Sequence, residues 1–263
     1  MELSTYFALL DEASPLALTP YTTGRKFRGS RILGLADCGL DGLLRFDAAA
    51  RITQDIAAED LTDSGLDHEG VWVVRKTHIR FIGAPRYQDR LAISTFCAGV
   101  GRAWAQRRTT LSSQNGRVEV SSLWVQTDPQ SRSPKSLSDN FYRIFGASAA
   151  GRTVGQRLEI PEGLDFENLD WPARITDIDI LEHVNNAAYF EAVEQIANRN
   201  RCPRPDVATL FVIAEYREGV GWGEKIDLHV SQQSSKGFQL DFLTQGKNQC
   251  SIVFGILDSS DIP

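Results

Sequence analysis

The sequence has few cysteines and no long hydrophobic run, and both absences exclude classes of protein. Its 263 residues include four cysteines, Cys38, Cys97, Cys202 and Cys250, none of which belongs to a Cys-x-x-Cys pair. We therefore expect neither a disulfide framework nor a cysteine-based zinc site. No apolar run approaches membrane-spanning length, and the chain does not start with a basic segment followed by an apolar stretch. These absences predict a cytoplasmic protein without membrane insertion.

Excess positive charge is also lacking. The formal net charge is −6, which argues against a general nucleic-acid binder, because such proteins need a positive surface against phosphates. Basic residues still cluster in two places, and either cluster could dock an acidic partner or simply lie on a solvated strand face. The members of the two clusters are Arg25, Lys26, Arg28 and Arg31, and then Arg102, Arg107 and Arg108.

The chain repeats one order of elements. A predicted helix over 40–58 precedes predicted strands, and a second predicted helix over 186–199 does the same, about one domain length further on. The strands are predicted at 71–81, 90–96, 103–112 and 118–127 in the first half, and at 209–217, 225–232, 238–245 and 249–257 in the second. This order predicts an α+β fold in which each antiparallel sheet wraps around its helix, with the two sheets paired edge to edge.

Domain boundaries follow from this repeat. We place a first domain at 1–128, a linker at 129–170 and a second domain at 171–263. The linker is rich in Ser, Gly, Arg and Pro and contains one predicted short helix around 137–145. A loop between two such domains is a common place for a pocket.

The segment 177–190, DIDILEHVNNAAYF, carries the chemistry that the sequence offers. It sets His183 among carboxylates and continues into a helix for which Asn185 and Asn186 are the predicted N-caps. The positive end of that helix would face the loop and could hold a carbonyl oxygen as it gains negative charge, while His183 or a carboxylate directs a water at the carbon. Asn185 and Asn186 could equally be plain caps.

Other chemistries fit this segment less well. Glu182 and His183 lie side by side with no second histidine nearby, so we expect no metal site and no cofactor. No Gly-x-Ser-x-Gly elbow occurs, which argues against a Ser-His-Asp hydrolase.

Three stretches together resemble the acyl-acyl carrier protein thioesterases, a family with a tandem double hotdog fold. They are the motif from Asp177 to Tyr189, the Glu215-Tyr216-Arg217 strand, and a region with Val71-Trp-Val-Val, Pro85, Asp89 and Gly101-Arg102-Ala-Trp104. The resemblance covers nearly the whole chain. It implies two tandem hotdog domains and, as substrate and partner, a fatty acyl thioester on an acidic acyl carrier protein.

The resemblance also implies roles for particular residues. Asp179 and His183 would be catalytic, with the carboxylate fixing the imidazole while the imidazole takes a proton from the attacking water, without a covalent intermediate. Glu218 would supply a further acid after a one-residue shift. Substrate contacts are implied at Asn185 and Asn186 and, for the acyl chain in the first half, at Phe46, Ala49 and Ile52.

Three positions depart from the family pattern. Leu181 stands where the family has Asn, Gly219 stands where it has an acid, and Val220 replaces a frequent cysteine. Three hypotheses therefore remain open: hydrolysis of acyl-acyl carrier protein, hydrolysis of acyl-coenzyme A, and acyl binding without turnover. The sequence leaves chain length and the choice between monomer and homodimer open.

Overall fold

A computed structural model of the protein describes residues 21–161, 163, 165–234 and 237–257. Residues 1–20 of the first predicted domain, and residues 235–236 and 258–263 of the second, lie outside this description. Among the described residues, no helix combines the length and the apolar character that crossing a membrane requires.

The described residues form ten strands, three α-helices and two short 3-10 helices. The strands are β1 (Phe27–Ile32), β2 (Val71–Gly83), β3 (Arg90–Val100), β4 (Trp104–Ser112), β5 (Gly116–Thr127), β6 (Glu167–Asp170), β7 (Thr209–Tyr216), β8 (Asp227–Ser234), β9 (Gly237–Thr244) and β10 (Lys247–Leu257). The helices are α1 (Phe46–Ser64), α2 (Asp139–Ala149) and α3 (Tyr189–Arg199), and the 3-10 helices span Leu35–Asp37 and Ile175–Asp177.

All ten strands belong to one antiparallel sheet in the order β1-β3-β4-β5-β2-β7-β10-β9-β8-β6. The two halves meet where β2 pairs with β7, from Lys76 opposite Glu215 to Phe81 opposite Leu210. This contact confirms the predicted edge-to-edge pairing. It also joins the two apolar faces into one continuous core.

The core lies between the sheet and the helices α1 and α3. On α1 the buried positions recur at helical spacing, and Ala48 and Ala49 are fully buried, as Phe190 and Val193 are on α3. A fully buried aliphatic or aromatic side chain stabilises the fold by about 1.5–3 kcal/mol. The helix α1 ends at Gly65, whose φ of 74° is the left-handed conformation that favours glycine.

Parts of the predicted linker belong to the two halves. The helix α2 packs against β3 of the first half, and its first turn is capped by Ser138, whose hydroxyl accepts a hydrogen bond from Phe141 N at 3.0 Å. The strand β6 pairs with β8 of the second half. Both β6 and β1 lack the long β-branched runs that predict a strand, so the sequence analysis missed them.

Candidate active site

The His183 loop is a tight turn that the backbone holds in place. Asp179 N donates to His183 O at 2.9 Å, and Glu182, at the tip, has a φ of 64°. Val184 N donates to Val220 O at 2.8 Å, which ties the loop to the segment after β7. His183 is thereby fixed between two backbone segments of the second half.

The imidazole of His183 lies against the backbone of Gly219. A Cβ atom built on Gly219 would be 2.7 Å from His183 Cδ2 and 3.1 Å from Nε2, closer than side chains normally approach. The glycine that departs from the family pattern therefore makes room for the ring. Among the described residues, no hydrogen-bond partner holds the imidazole nitrogens.

The Asp179 carboxylate contacts an amide rather than the imidazole. Asn185 Nδ2 donates to it at 3.2 Å, and Leu181 N donates at 2.9 Å. The predicted hydrogen bond from Asp179 to the imidazole is therefore absent from the described contacts. Both described donors to the carboxylate come from its own loop. One of them is the side-chain amide of Asn185, so the carboxylate helps to orient Asn185.

The helix after the loop begins later than predicted. Its N-cap is Ala188 and has no side-chain cap, so the expectation that Asn185 and Asn186 are N-caps was wrong. Asn185 Oδ1 accepts from Ala187 N at 2.9 Å, which forms a separate turn ahead of α3. Among the described residues, Asn186 N has no acceptor.

Tyr216 contacts the turn that precedes α3. Its hydroxyl donates to Asn186 O at 2.9 Å, and its ring meets Tyr189 edge-on at 5.9 Å between centroids. Burial raises the pKa of Tyr216 well above its usual value, so the phenol stays protonated and remains a donor.

Glu218 lies beside the loop but points to a lysine. It forms an ion pair with Lys247 at 2.5 Å, and more than half of its side chain is exposed. Val220, at the family cysteine position, is fully buried. Burial raises the pKa of Cys250 well above its usual value, which leaves that thiol unreactive.

A cavity of about 700 Å³ starts at this loop and runs into the first half. Asp179, His183, Asn185, Asn186 and Glu218 all line it, together with Tyr216 and Gly219. Its wall in the first half is mostly apolar and comes from α1, β2 to β5 and α2, with Ala57, Ala58, Leu61, Trp72, Val74, Ala105, Trp124 and Phe141 among its members. The cavity therefore spans both halves and could hold an acyl chain.

The structure does not bring Phe46, Ala49 and Ile52 to this cavity. All three are almost fully buried in the closed core, and the cavity wall begins further along α1, at Gln54. The apolar residues of α1 recur at the same helical spacing along its whole length. The pattern therefore could not indicate which turn of the helix borders the cavity.

The basic clusters are largely paired with acids inside the molecule. Arg25 and Arg107 both bind the buried Asp60, Arg31 binds Asp37 at 3.0 Å, and Arg108 binds Glu119 at 3.0 Å. Four of the seven basic residues thus serve internal ion pairs, which is neither of the two predicted roles. Asp60 is 35 and 47 positions away from its two arginines, so local charge patterns could not reveal these two ion pairs.

The sequence analysis assigned no role to Arg75, which lines the cavity. The pairing of β2 with β5 shifts register between Val74 and Lys76, so Arg75 is the extra residue of a β-bulge. Bulges redirect side chains and are frequent beside active sites. No local sequence pattern predicts such a bulge.

The first half contains the corresponding loop without the histidine and without the second aspartate. Cys38 pairs with Leu44 as Ile178 pairs with Val184, 140 positions further along. By this correspondence, Leu43 occupies the position of His183, and Gly39 that of Asp179. Of these two loops, the second-half one therefore carries the histidine and the aspartate that line the cavity.

Comparisons with known proteins agree with this architecture. A family model described as the acyl-ACP thioesterase N-terminal domain matches residues 24–145, and one described as the acyl-ACP thioesterase C-terminal domain matches residues 163–254. Together the two matches cover most of the chain.

Relatives and solved structures agree with the family models. A Mycobacterium tuberculosis protein described as uncharacterized is 30% identical over 81% of this chain and 82% of its own length. The chloroplastic oleoyl-acyl carrier protein thioesterase of Coriandrum sativum is 21% identical over 64% of this chain and 52% of its own length.

Two solved structures share the fold. The 12:0-ACP thioesterase from Umbellularia californica has a TM-score of 0.71 at 16% identity, covering 90% of this chain and 98% of its own. An acyl-ACP thioesterase from Bacteroides thetaiotaomicron has a TM-score of 0.71 at 15% identity, covering 88% and 98%. The fold is thus the double hotdog of these proteins, as predicted.

Proposed function

Because the chain belongs to the acyl-acyl carrier protein thioesterase family, we propose that it hydrolyses a fatty acyl thioester carried by an acyl carrier protein. The observation that carries this proposal is the cavity, because its largely apolar interior ends at His183 and Asp179. An acyl chain inside the first half would leave its thioester carbonyl at the loop of the second half.

His183 acts as the general base in this proposal. Its imidazole takes a proton from a water molecule while the water oxygen attacks the carbonyl carbon. The carbon–sulfur bond of the tetrahedral intermediate then breaks, and the leaving thiolate receives the proton from the imidazolium. Asp179 lines the same cavity and holds Asn185 in the loop that carries His183.

The oxyanion would be held by the turn before α3. Asn186 lines the cavity, and its N–H has no acceptor among the described residues. A backbone donor fixed in this way stabilises developing charge without moving during the reaction. The hydrogen bond from Tyr216 to Asn186 O supports this role, because it holds the same peptide segment.

Acyl binding without turnover is the second candidate. The observation that favours it is the lack of a polar side chain at Leu181 and Gly219, where the family pattern has Asn and an acid. Hydrolysis of acyl-coenzyme A is a variant of the first candidate, since the loop chemistry is the same for both carriers.

One panel of substrates separates these functions. We expect the purified protein to release free acid from acyl-acyl carrier protein faster than from the matching acyl-coenzyme A, tested with short, medium and long chains. Faster turnover of coenzyme A esters at every length would assign the second carrier. Tight binding with no released acid across the panel would contradict hydrolysis and favour the binding function.

A further inference from the structure

Two arginines of the cavity wall, Arg75 and Arg217, line the cavity together with His183 and Gly219. Among the ion pairs of residues 21–161, 163, 165–234 and 237–257, neither arginine takes part. The cavity thus has two guanidinium groups without a direct ion pair on the side where hydrolysis is proposed.

The contacts of Arg75 leave one edge of its guanidinium available. Its Nη1 group donates to Tyr216 O at 2.9 Å and to Arg217 O at 2.6 Å. Within the described part of the chain, Nε and Nη2 have no acceptor. Unlike Arg80 Nε and Arg108 Nη1, these groups are not sealed off from solvent. They form the edge that a carboxylate can engage with two parallel hydrogen bonds.

The carboxylates near Arg75 form ion pairs with other residues. Glu215 and Glu218 lie nearby, but Lys76 binds the former at 2.9 Å and Lys247 binds the latter at 2.5 Å. Arg217 directs its own donors to Ile160 O, Ser251 and Asn248.

The electrostatic surroundings of Arg75 therefore favour an anion. Burial, and next the charge of Arg217, lower the pKa of Arg75 from its usual value, by more than the nearby charges of Glu215 and Glu218 raise it. Burial and the charge of Arg217 both oppose the charged guanidinium, and a bound anion would offset them.

We propose that Arg75 binds the carboxylate of the released fatty acid through Nε and Nη2, with Arg217 adding a second positive charge nearby. This inference rests on the proposed function, because the acid is the product of that hydrolysis. The thioester is neutral and the acid is anionic, so the subsite distinguishes product from substrate by charge. It holds the product at the loop after the carbon–sulfur bond has broken, and we therefore expect inhibition by free fatty acid.

Binding of a fatty acid and of the fatty alcohol with the same chain tests the subsite directly. Calorimetric titrations would use the wild type, Arg75→Gln, Arg75→Lys and, as a matched control, Arg143→Gln on the exposed face of α2. We expect Arg75→Gln to weaken binding of the acid about tenfold or more and to leave the alcohol unchanged, because only the acid loses a charged hydrogen bond. Arg75→Lys should retain part of the preference for the acid, and the control should retain all of it.

Two outcomes would overturn the inference. In one, Arg75→Gln binds the acid as tightly as the wild type does. In the other, the variant loses acid and alcohol equally, which assigns Arg75 a purely structural role. The titration needs no hydrolysis. The wild type could bind the acid more tightly than the alcohol in a way that depends on Arg75, and yet hydrolyse no thioester. That result would contradict the proposed function but would still support the carboxylate subsite at Arg75.

Discussion

At the scale of single residues, Gly219 decides where the His183 ring lies. The imidazole packs on the glycine backbone so closely that no other residue fits without displacing it. The acidic side chain that the family pattern has at this position would therefore collide with the ring where it lies here.

We expect Gly219→Ala to reduce kcat on the order of a hundredfold, because the added Cβ would displace the ring from its productive position. Steady-state kinetics on acyl-acyl carrier protein would measure the loss. Gly155→Ala is the control, since a Cβ there meets nothing within 4 Å. Wild-type turnover in a folded Gly219→Ala variant would show that the ring position does not matter.

Tyr216 is a positioning residue for the Asn186 peptide. We expect Tyr216→Phe to lower the free energy of unfolding by about 1 kcal/mol, because the half-buried carbonyl of Asn186 loses its donor. We also expect kcat to fall at unchanged KM, since the oxyanion donor shifts while the acyl cavity keeps its shape. Denaturant unfolding and steady-state kinetics measure the two effects.

Tyr142→Phe is the matched control for that change, because its hydroxyl lies on the exposed face of α2. Equal losses of stability and no change in kcat for both variants would contradict the positioning role of Tyr216.

At the scale of elements, α2 contributes to the wall of the cavity. Phe141 reaches the cavity wall, is almost fully buried, and packs on Trp72 at 5.6 Å and Phe145 at 5.0 Å between ring centroids. This helix comes from the segment that the sequence analysis assigned to the linker. It therefore contributes to the cavity as well as connecting the two halves.

We expect Phe141→Ala to shift the preferred substrate toward longer acyl chains, because it removes a ring from the wall and enlarges the cavity there. The same change should cost about 3–5 kcal/mol of stability. Hydrolysis rates across a chain-length series test the shift, with Tyr142→Ala, on the exposed face of the same helix, as control. An unchanged chain-length profile in a folded Phe141→Ala variant would show that Phe141 does not limit the length of the acyl chain.

The periodicity of apolar residues predicted the helices and strands that bury one face in the core. The strands β2 to β5 and β7 to β10 and the helix α3 each show a regular apolar face, and all were predicted to within about four residues. The helix α1 was predicted at 40–58 and lies six residues further on, at Phe46–Ser64. The start of α3 was missed because Asn185 caps a separate turn, and helix-cap patterns do not distinguish the two. The Arg75 bulge and the pairing of Arg107 with Asp60 depend on contacts between remote segments, which no local pattern contains.

At the scale of the whole molecule, the two halves share a fold but differ in chemistry. The β2–β7 pairing joins them, the first half supplies most of the cavity wall, and the second supplies the polar loop. Because Leu43 and Gly39 replace the histidine and aspartate in the first-half loop, we expect one active site per chain. A nonhydrolysable acyl-pantetheine amide should bind with a stoichiometry of one in calorimetry. A stoichiometry of two per chain would contradict this assignment.

The central claim is that the His183 imidazole activates water against a thioester at the end of the cavity. Turnover of acyl-acyl carrier protein by His183→Ala tests it most directly, beside the control His68→Ala, whose side chain is largely exposed. We expect His183→Ala to fold and bind the acyl chain but to lose about a hundredfold or more in kcat, and His68→Ala to match the wild type. A folded His183→Ala variant with wild-type kcat would contradict the account.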